Sequence, residues 1–123
     1  MKTLKEFLIE SHAIRHEHND MMGRFGCDGG YLTYNMMCLI YPVSTKNCIE
    51  VDVLNVTNKR KGIGTELVKK LIEFAKKEGR TIVLYASPLD GTSVDDLIEF
   101  YKKCGFEHDD RTKDKHCLIY KVD

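Results

Sequence analysis

Apolar residues recur at helical spacing in two clear stretches and in short alternating or continuous runs elsewhere. Ile63, Leu67, Val68, Leu71, Ile72 and Ala75 recur every three to four positions, which predicts an amphipathic helix ended by Gly79. On its polar side, Glu66–Lys70 and Glu73–Lys77 place acid before base at i,i+4 spacing. Val94, Leu97, Ile98 and Tyr101 predict a second helix, opened by Ser93 and Asp96 at capping-box spacing and stopped by Gly105. Leu4, Phe7, Leu8 and Ile14 predict a shorter helix over residues 3–16. Strands are predicted over residues 31–41, 49–56 and 81–86, with two short ones near 106–108 and 116–122 forming a closing hairpin. In the second strand Ile49, Val51 and Val53 are expected to face one way, Glu50 and Asp52 the other. Residues 81–86 form a continuous apolar run, the mark of a buried parallel strand. Residues 19–30, with four glycines, read as a loop, and residues 42–47 as a hairpin connection.

Strand, helix and strand over residues 49–86 make a right-handed βαβ unit. At 123 residues the chain fits one domain, an N-terminal helix and loop over 1–28 followed by a core over 29–123. The formal net charge is zero, so no overall basic field draws nucleic acid or membrane, and neither is an expected partner. No apolar run reaches signal-peptide or membrane-spanning form. The five cysteines are odd in number and lack a CxxC pair, which points to reduced thiols and a cytoplasmic setting. Cys38, Cys48 and Cys117 read as small core residues. His12 and His16 stand at i,i+4 on the first helix, but without HExxH they read as a polar face, and no metal is expected.

The stretch from Thr57 to Thr65 carries the candidate chemistry. A strand runs into Lys59, Arg60, Lys61, Gly62, Ile63 and Gly64, and a helix starts there. First-turn amides of a helix lack internal partners and sit at the positive end of its dipole, so they bind anions. Gly62 and Gly64 leave the backbone bare, and the three basic residues add charge, which suits a diphosphate. A Walker loop is excluded because GxxxxGK[ST] is missing. A dinucleotide fingerprint fails because Leu67 stands at its third glycine and no acidic residue closes the following strand.

The loop resembles the acetyl-CoA-binding loop of the GCN5-related N-acetyltransferases (GNAT), Gln/Arg-x-x-Gly-x-Gly/Ala, with Lys59 at the first place. The run Phe100-Tyr101-Lys102-Lys103-Cys104-Gly105-Phe106 resembles the family's second signature, Phe-Tyr-x-x-x-Gly-Phe. Segments such as Gly62-Ile63-Gly64, Leu84-Tyr85-Ala86 and the run from Asp96 to Tyr101 are further similar to small phage-encoded anti-CRISPR members that acetylate a lysine of a type V nuclease. Many relatives carry Asn-x-x-Ala before the tyrosine; Val94 and Leu97 stand there instead.

The resemblance implies a compact α/β (α+β) fold: a central mixed, mostly antiparallel sheet, helices on both faces and a splayed parallel strand pair. It implies acetyl-CoA as cosubstrate and a primary amine, a protein lysine, as acceptor. The cofactor contacts it implies are Leu54, Asn55 and Val56 along the pantetheine arm, residues Lys59, Arg60, Lys61, Gly62, Ile63, Gly64 and Thr65 at the diphosphate, and Ser87 or Ser93 in place of the missing asparagine. Tyr101 is then expected beside the sulfur as general acid, with Asp52 or Glu50 as base. A small-molecule amine transferase, or a non-catalytic acyl-CoA-binding module such as an inhibitor of a host defence protein, stays open as an alternative.

Overall fold

The computed structural model describes residues 14–38, 47–57, 62–88 and 92–122. Over the described residues a seven-stranded sheet carries two helices in the order β1 (Arg15–Asn19), β2 (Met22–Cys27), β3 (Gly30–Asn35), β4 (Cys48–Val56), α1 (Ile63–Glu78), β5 (Thr81–Tyr85), α2 (Val94–Lys103), β6 (Glu107–His108) and β7 (Cys117–Tyr120). The spatial order is β1-β2-β3-β4-β5-β7-β6. Only β4 and β5 run parallel; every other neighbouring pair is antiparallel. The mixed, mostly antiparallel sheet with one parallel pair is therefore as expected.

The apolar stripe of α1 explains the main core. Leu67, Val68, Leu71, Ile72 and Ala75 are buried, and they join Leu32, Ile49, Val51, Ile82, Leu84 and Leu118 of the sheet with Ile98 and Tyr101 of α2. Val83 and Ile119, one residue out of phase, point to the other face and form a small cluster with Cys38 and Cys48. Both glycine stops act by positive φ: Gly79 (φ 66°) turns the chain out of α1, and Gly105 (φ 108°) follows α2. Ser93 caps α2 by accepting the Asp96 amide at 3.1 Å. On α1 the ion pairs run at i,i+3, Glu66 to Lys69 and Glu73 to Lys70.

Three local expectations need correction. Residues 22–27 are a strand, and residues 15–19 form the edge strand beside it; the rest of the predicted first helix lies outside the described residues, as does the 42–46 part of the hairpin connection. The glycines that suggested a loop have strand roles. Gly23 pairs across from Tyr34, and a Cβ there would overlap the phenol oxygen. Asp28 and Gly29 (φ 108°) make the tight turn between β2 and β3. The edge strand contributes His16 and His18, whose Nε2 and Nδ1 lie 2.7 and 3.0 Å from the buried Tyr34 hydroxyl. His16 stacks on Phe25 at 4.0 Å, so this face of the strand is a ring cluster; His12 lies outside the described residues.

The second correction concerns thiols: Cys38 and Cys48 are joined as a disulfide, leaving Cys27, Cys104 and Cys117 free. The third concerns β4. Its register against β3 slips between Thr33 and Tyr34, which face Val53 and Val51, so Asp52 is the extra residue of a β-bulge. The alternation changes phase there. Ile49 and Val51 reach the core before the bulge, Leu54 and Val56 after it, while Val53 does not.

Candidate active site

The parallel pair is short. β4 meets β5 only from Cys48↔Thr81 to Val51↔Leu84, and past the bulge β4 continues to Val56 bonded to β3 alone. From Asp52 onward the β5-facing backbone of β4 has no strand partner among the described residues. The strands part into a cleft of about 420 Å³. Its floor is β4 from Val51 to Val56, its far wall Leu84, Tyr85, Ser87 and Pro88, and its roof Thr92, Asp96, Leu97, Phe100 and Tyr101. Gly62, Gly64 and Thr65 at the head of α1 close one end.

That helix head is bare. Gly62 is the N-cap in left-handed conformation (φ 65°, ψ 23°), with no side-chain cap bond. The first helical bond is Glu66 N–H to the Gly62 carbonyl at 3.1 Å, so the amides of Ile63, Gly64 and Thr65 come before it. A Cβ on Gly62 would meet nothing within 4 Å, whereas one on Gly64 would come within 3.3 Å of Phe100 and 3.4 Å of Val56. Gly62 thus serves the turn, and Gly64 lets the helix head approach α2. These features fit a pantetheine-linked diphosphate: an unpaired strand edge for amide-bearing chain and a donor-rich helix end for the anion.

Of the expected cofactor contacts, Leu54, Asn55, Val56, Gly62, Gly64, Thr65 and Ser87 line the cleft. Ile63 turns its side chain to the core and offers its amide only. Ser93 is not in the lining; its hydroxyl is used as the α2 cap. Leu97 lines the cleft. Lys59, Arg60 and Lys61 lie outside the described residues.

Tyr101 lines the cleft with 3 % exposure, wedged edge-on between Phe100 and Phe106 at 5.3 Å from each. Its hydroxyl has no hydrogen-bond partner among the described residues, and burial holds its pKa well above the usual tyrosine range. It is a neutral donor at any physiological pH.

The two carboxylates differ. Asp52 lines the cleft, while Glu50 is buried at 3 % exposure and does not. Of the two carboxylates expected as candidate bases, only Asp52 therefore reaches the cleft. One side chain joins them: Asn35 Nδ2 donates to Asp52 Oδ1 at 2.8 Å and to Glu50 Oε2 at 3.0 Å. Loss of solvent raises the Asp52 pKa, the Asn35 bond lowers it in part, and the Glu50 charge raises it again. Asn35 escaped the sequence reading, although pairing of β3 with β4 sets it opposite Glu50. Tyr85 and His116 escaped it too. Tyr85 lines the cleft, its ring stacked at 4.9 Å on His116, whose Nδ1 donates to Asp114 Oδ1 at 2.6 Å.

The splayed strand pair, the head of α1 and the buried tyrosine of α2 thus border one cleft. Residues 37–106 match the Acetyltransferase (GNAT) family, and the chain belongs to it. Within that family it is similar to an uncharacterized N-acetyltransferase of Methanocaldococcus jannaschii, 48% identical over 54 residues, covering 43% of this chain and 22% of the relative's length. The crystal structure of the anti-CRISPR protein AcrVA5 superposes with a TM-score of 0.71 at 31% identity, over 82% of this chain and 99% of that one. Tetrahymena GCN5 shares the fold, with a TM-score of 0.62 at 16% identity over 85% and 71% of the two chains. Among the described residues no helix is long and apolar enough to cross a membrane, and no group of three or more His, Cys, Asp or Glu could hold a metal ion.

Proposed function

We propose that this protein transfers an acetyl group from acetyl-CoA to a primary amine, with a protein lysine as acceptor. The observation that carries the reading is Tyr101: a buried hydroxyl without a partner among the described residues, facing the same cleft as Asp52. The amides at the α1 head and Ser87 would hold the cofactor's polar parts, and Leu54, Asn55 and Val56 its pantetheine arm; Lys59, Arg60 and Lys61 are further candidates for the phosphates.

A lysine amine of pKa about 10.4 is neutral in roughly one molecule in 2,500 at pH 7, a deficit of about 4–5 kcal/mol. Asp52, on the cleft and raised in pKa, is suited to take that proton as the C–N bond forms. Glu50 is its buried companion. Tyr101 donates a proton to the thiol sulfur as the C–S bond breaks. A leaving thiol of pKa about 8.5 needs little more help, so positioning of amine and thioester supplies much of the remaining acceleration. The acidic head of α2, with Asp95, Asp96 and Glu99 exposed, favours a basic acceptor. We place the reaction in the cytoplasm, where acetyl-CoA and protein substrates meet.

The test is incubation with acetyl-CoA and candidate proteins, read as the mass gain of one acetyl group and mapped to a lysine. Turnover of polyamines or antibiotic amines with no protein modification would reassign the acceptor to small molecules. Binding of acetyl-CoA without turnover of any amine would leave a non-catalytic module.

A further inference from the structure

Asn35 is nine-tenths buried and every hydrogen-bonding position of its carboxamide is used. Its oxygen accepts the backbone amides of Met37 at 3.0 Å and Cys38 at 3.2 Å. Its nitrogen spends one hydrogen on each of two carboxylates from a different strand. The amide cannot flip, because a reversed group would set its oxygen against both carboxylates and its hydrogens against two backbone donors. The segment that holds it is fixed in turn: Cys38 is in left-handed conformation (φ 53°) and bonded to Cys48, the first residue of β4.

The location matters because Asp52 is the bulged residue. A bulge leaves one residue outside the regular ladder, so its side-chain direction is not set by strand pairing. The bond from Asn35 sets it.

We propose that Asn35 is the positioning residue of the acceptor base: it fixes the Asp52 carboxylate in the cleft and ties it through one carboxamide to the buried Glu50. This rests on the acetyl-transfer reading, in which the proton leaving the ammonium goes to Asp52 Oδ2, which has no hydrogen bond among the described residues, while Oδ1 stays on Asn35. The amine lone pair then forms the new C–N bond, the C–S electrons pass to sulfur and Tyr101 supplies the sulfur's proton; the second proton leaving the nitrogen restores the Tyr101 phenol, and the one on Asp52 passes to solvent. The titratable groups that share the cleft with Asp52 are Tyr85 at the end of β5 and Asp96 and Tyr101 on α2, while Glu50 lies on the far side of the Asn35 carboxamide.

Two measurements on the full chain test the proposal. In the wild-type protein, NMR should show the Asn35 side-chain NH₂ resonances moving along the same pH curve as the Asp52 carboxyl carbon. In Asn35→Leu, loss of a donor to the charged form should move the Asp52 midpoint upward by about one to two pH units. The acidic limb of kcat/KM for coenzyme A thiol release with a lysine-rich peptide should move by the same amount, with KM for acetyl-CoA unchanged. Asn35 resonances that ignore the Asp52 titration would overturn the proposal even if the variant does not fold. A folded Asn35→Leu with wild-type midpoints would overturn it too. Asp52→Asn separates the two layers: full turnover in that variant removes the base reading itself, whereas an inactive Asp52→Asn beside an unshifted Asn35→Leu removes only the role of Asn35.

Discussion

Two glycines at opposite ends of α1 make a matched pair for isolating the anion site. Gly62 (φ 65°, ψ 23°) and Gly79 (φ 66°, ψ 36°) share one backbone conformation, and a Cβ on either would meet nothing within 4 Å. Alanine at each should therefore cost the same: about 1–2 kcal/mol for a non-glycine residue in the left-handed region, offset in part by the lower entropy of the unfolded chain. A net loss of about 1 kcal/mol lowers Tm by roughly 3–6 °C in a domain of this size. Binding should separate them. Gly62 lines the cleft, so a methyl there stands between the phosphates and the amides of residues 63–65, while Gly79 lies at the far end of a 16-residue helix. Loss of one charge-assisted hydrogen bond, about 1.5–3 kcal/mol, corresponds to roughly 10- to 100-fold in Kd. Calorimetry with coenzyme A should show that loss for Gly62→Ala and wild-type affinity for Gly79→Ala, with near-equal Tm shifts by differential scanning. Equal affinities in the two variants would refute the assignment of the helix head as the diphosphate site.

Tyr101→Phe should leave the coenzyme A Kd and Tm near wild type, since its hydroxyl bonds to none of the described residues, and lower kcat by about 100-fold in single-turnover thiol release. Thiol titration of the protein unfolded without reductant should count three reactive cysteines, and five after reduction. The pKa of His16 is lowered by burial first, then by the charges of His18 and Lys77, so the folded state disfavours its protonated form. Stability from this source is complete above the unfolded value near 6.5 and is lost as pH falls from there through the lower folded value. Urea midpoints of wild type should fall over that window more than those of His16→Gln. Gly23→Ala should drive Tyr34 from its two histidines and lower stability by about 1–3 kcal/mol, read in the same urea titration.

The parts legible in the residues were those whose cause is local. The stripe from Ile63 to Ala75, the cap at Ser93, the stops at Gly79 and Gly105 and the apolar run of β5 each follow from period, capping chemistry or backbone freedom, and each lies where expected. The glycine turn before α1 belongs with them, because the left-handed Gly62 at the helix start needs no distant residue. Phe100, Tyr101, Gly105 and Phe106 stood out by their resemblance to a family signature.

What required the fold were properties that belong to pairs. Arg15 to Asn19 carries no apolar residue and becomes a strand only because β2 offers it a ladder; Gly23 looks like a turn until Tyr34 lies beneath it. Alternation along β4 predicted Val53 on the core face, and the bulge against β3 reversed it, because register is a relation between strands. The same relation brought Asn35 to Glu50 and Asp52, closed Cys38 onto Cys48, and buried one carboxylate while leaving the other on the cleft. The sequence by itself determined α1 and α2, the glycine turn between β4 and α1 and the family's signatures, since periodicity and backbone conformation act over a few neighbouring residues. The tertiary structure alone decided which carboxylate faces the cleft and what orients it, since burial and hydrogen bonding across strands depend on residues far apart in the chain.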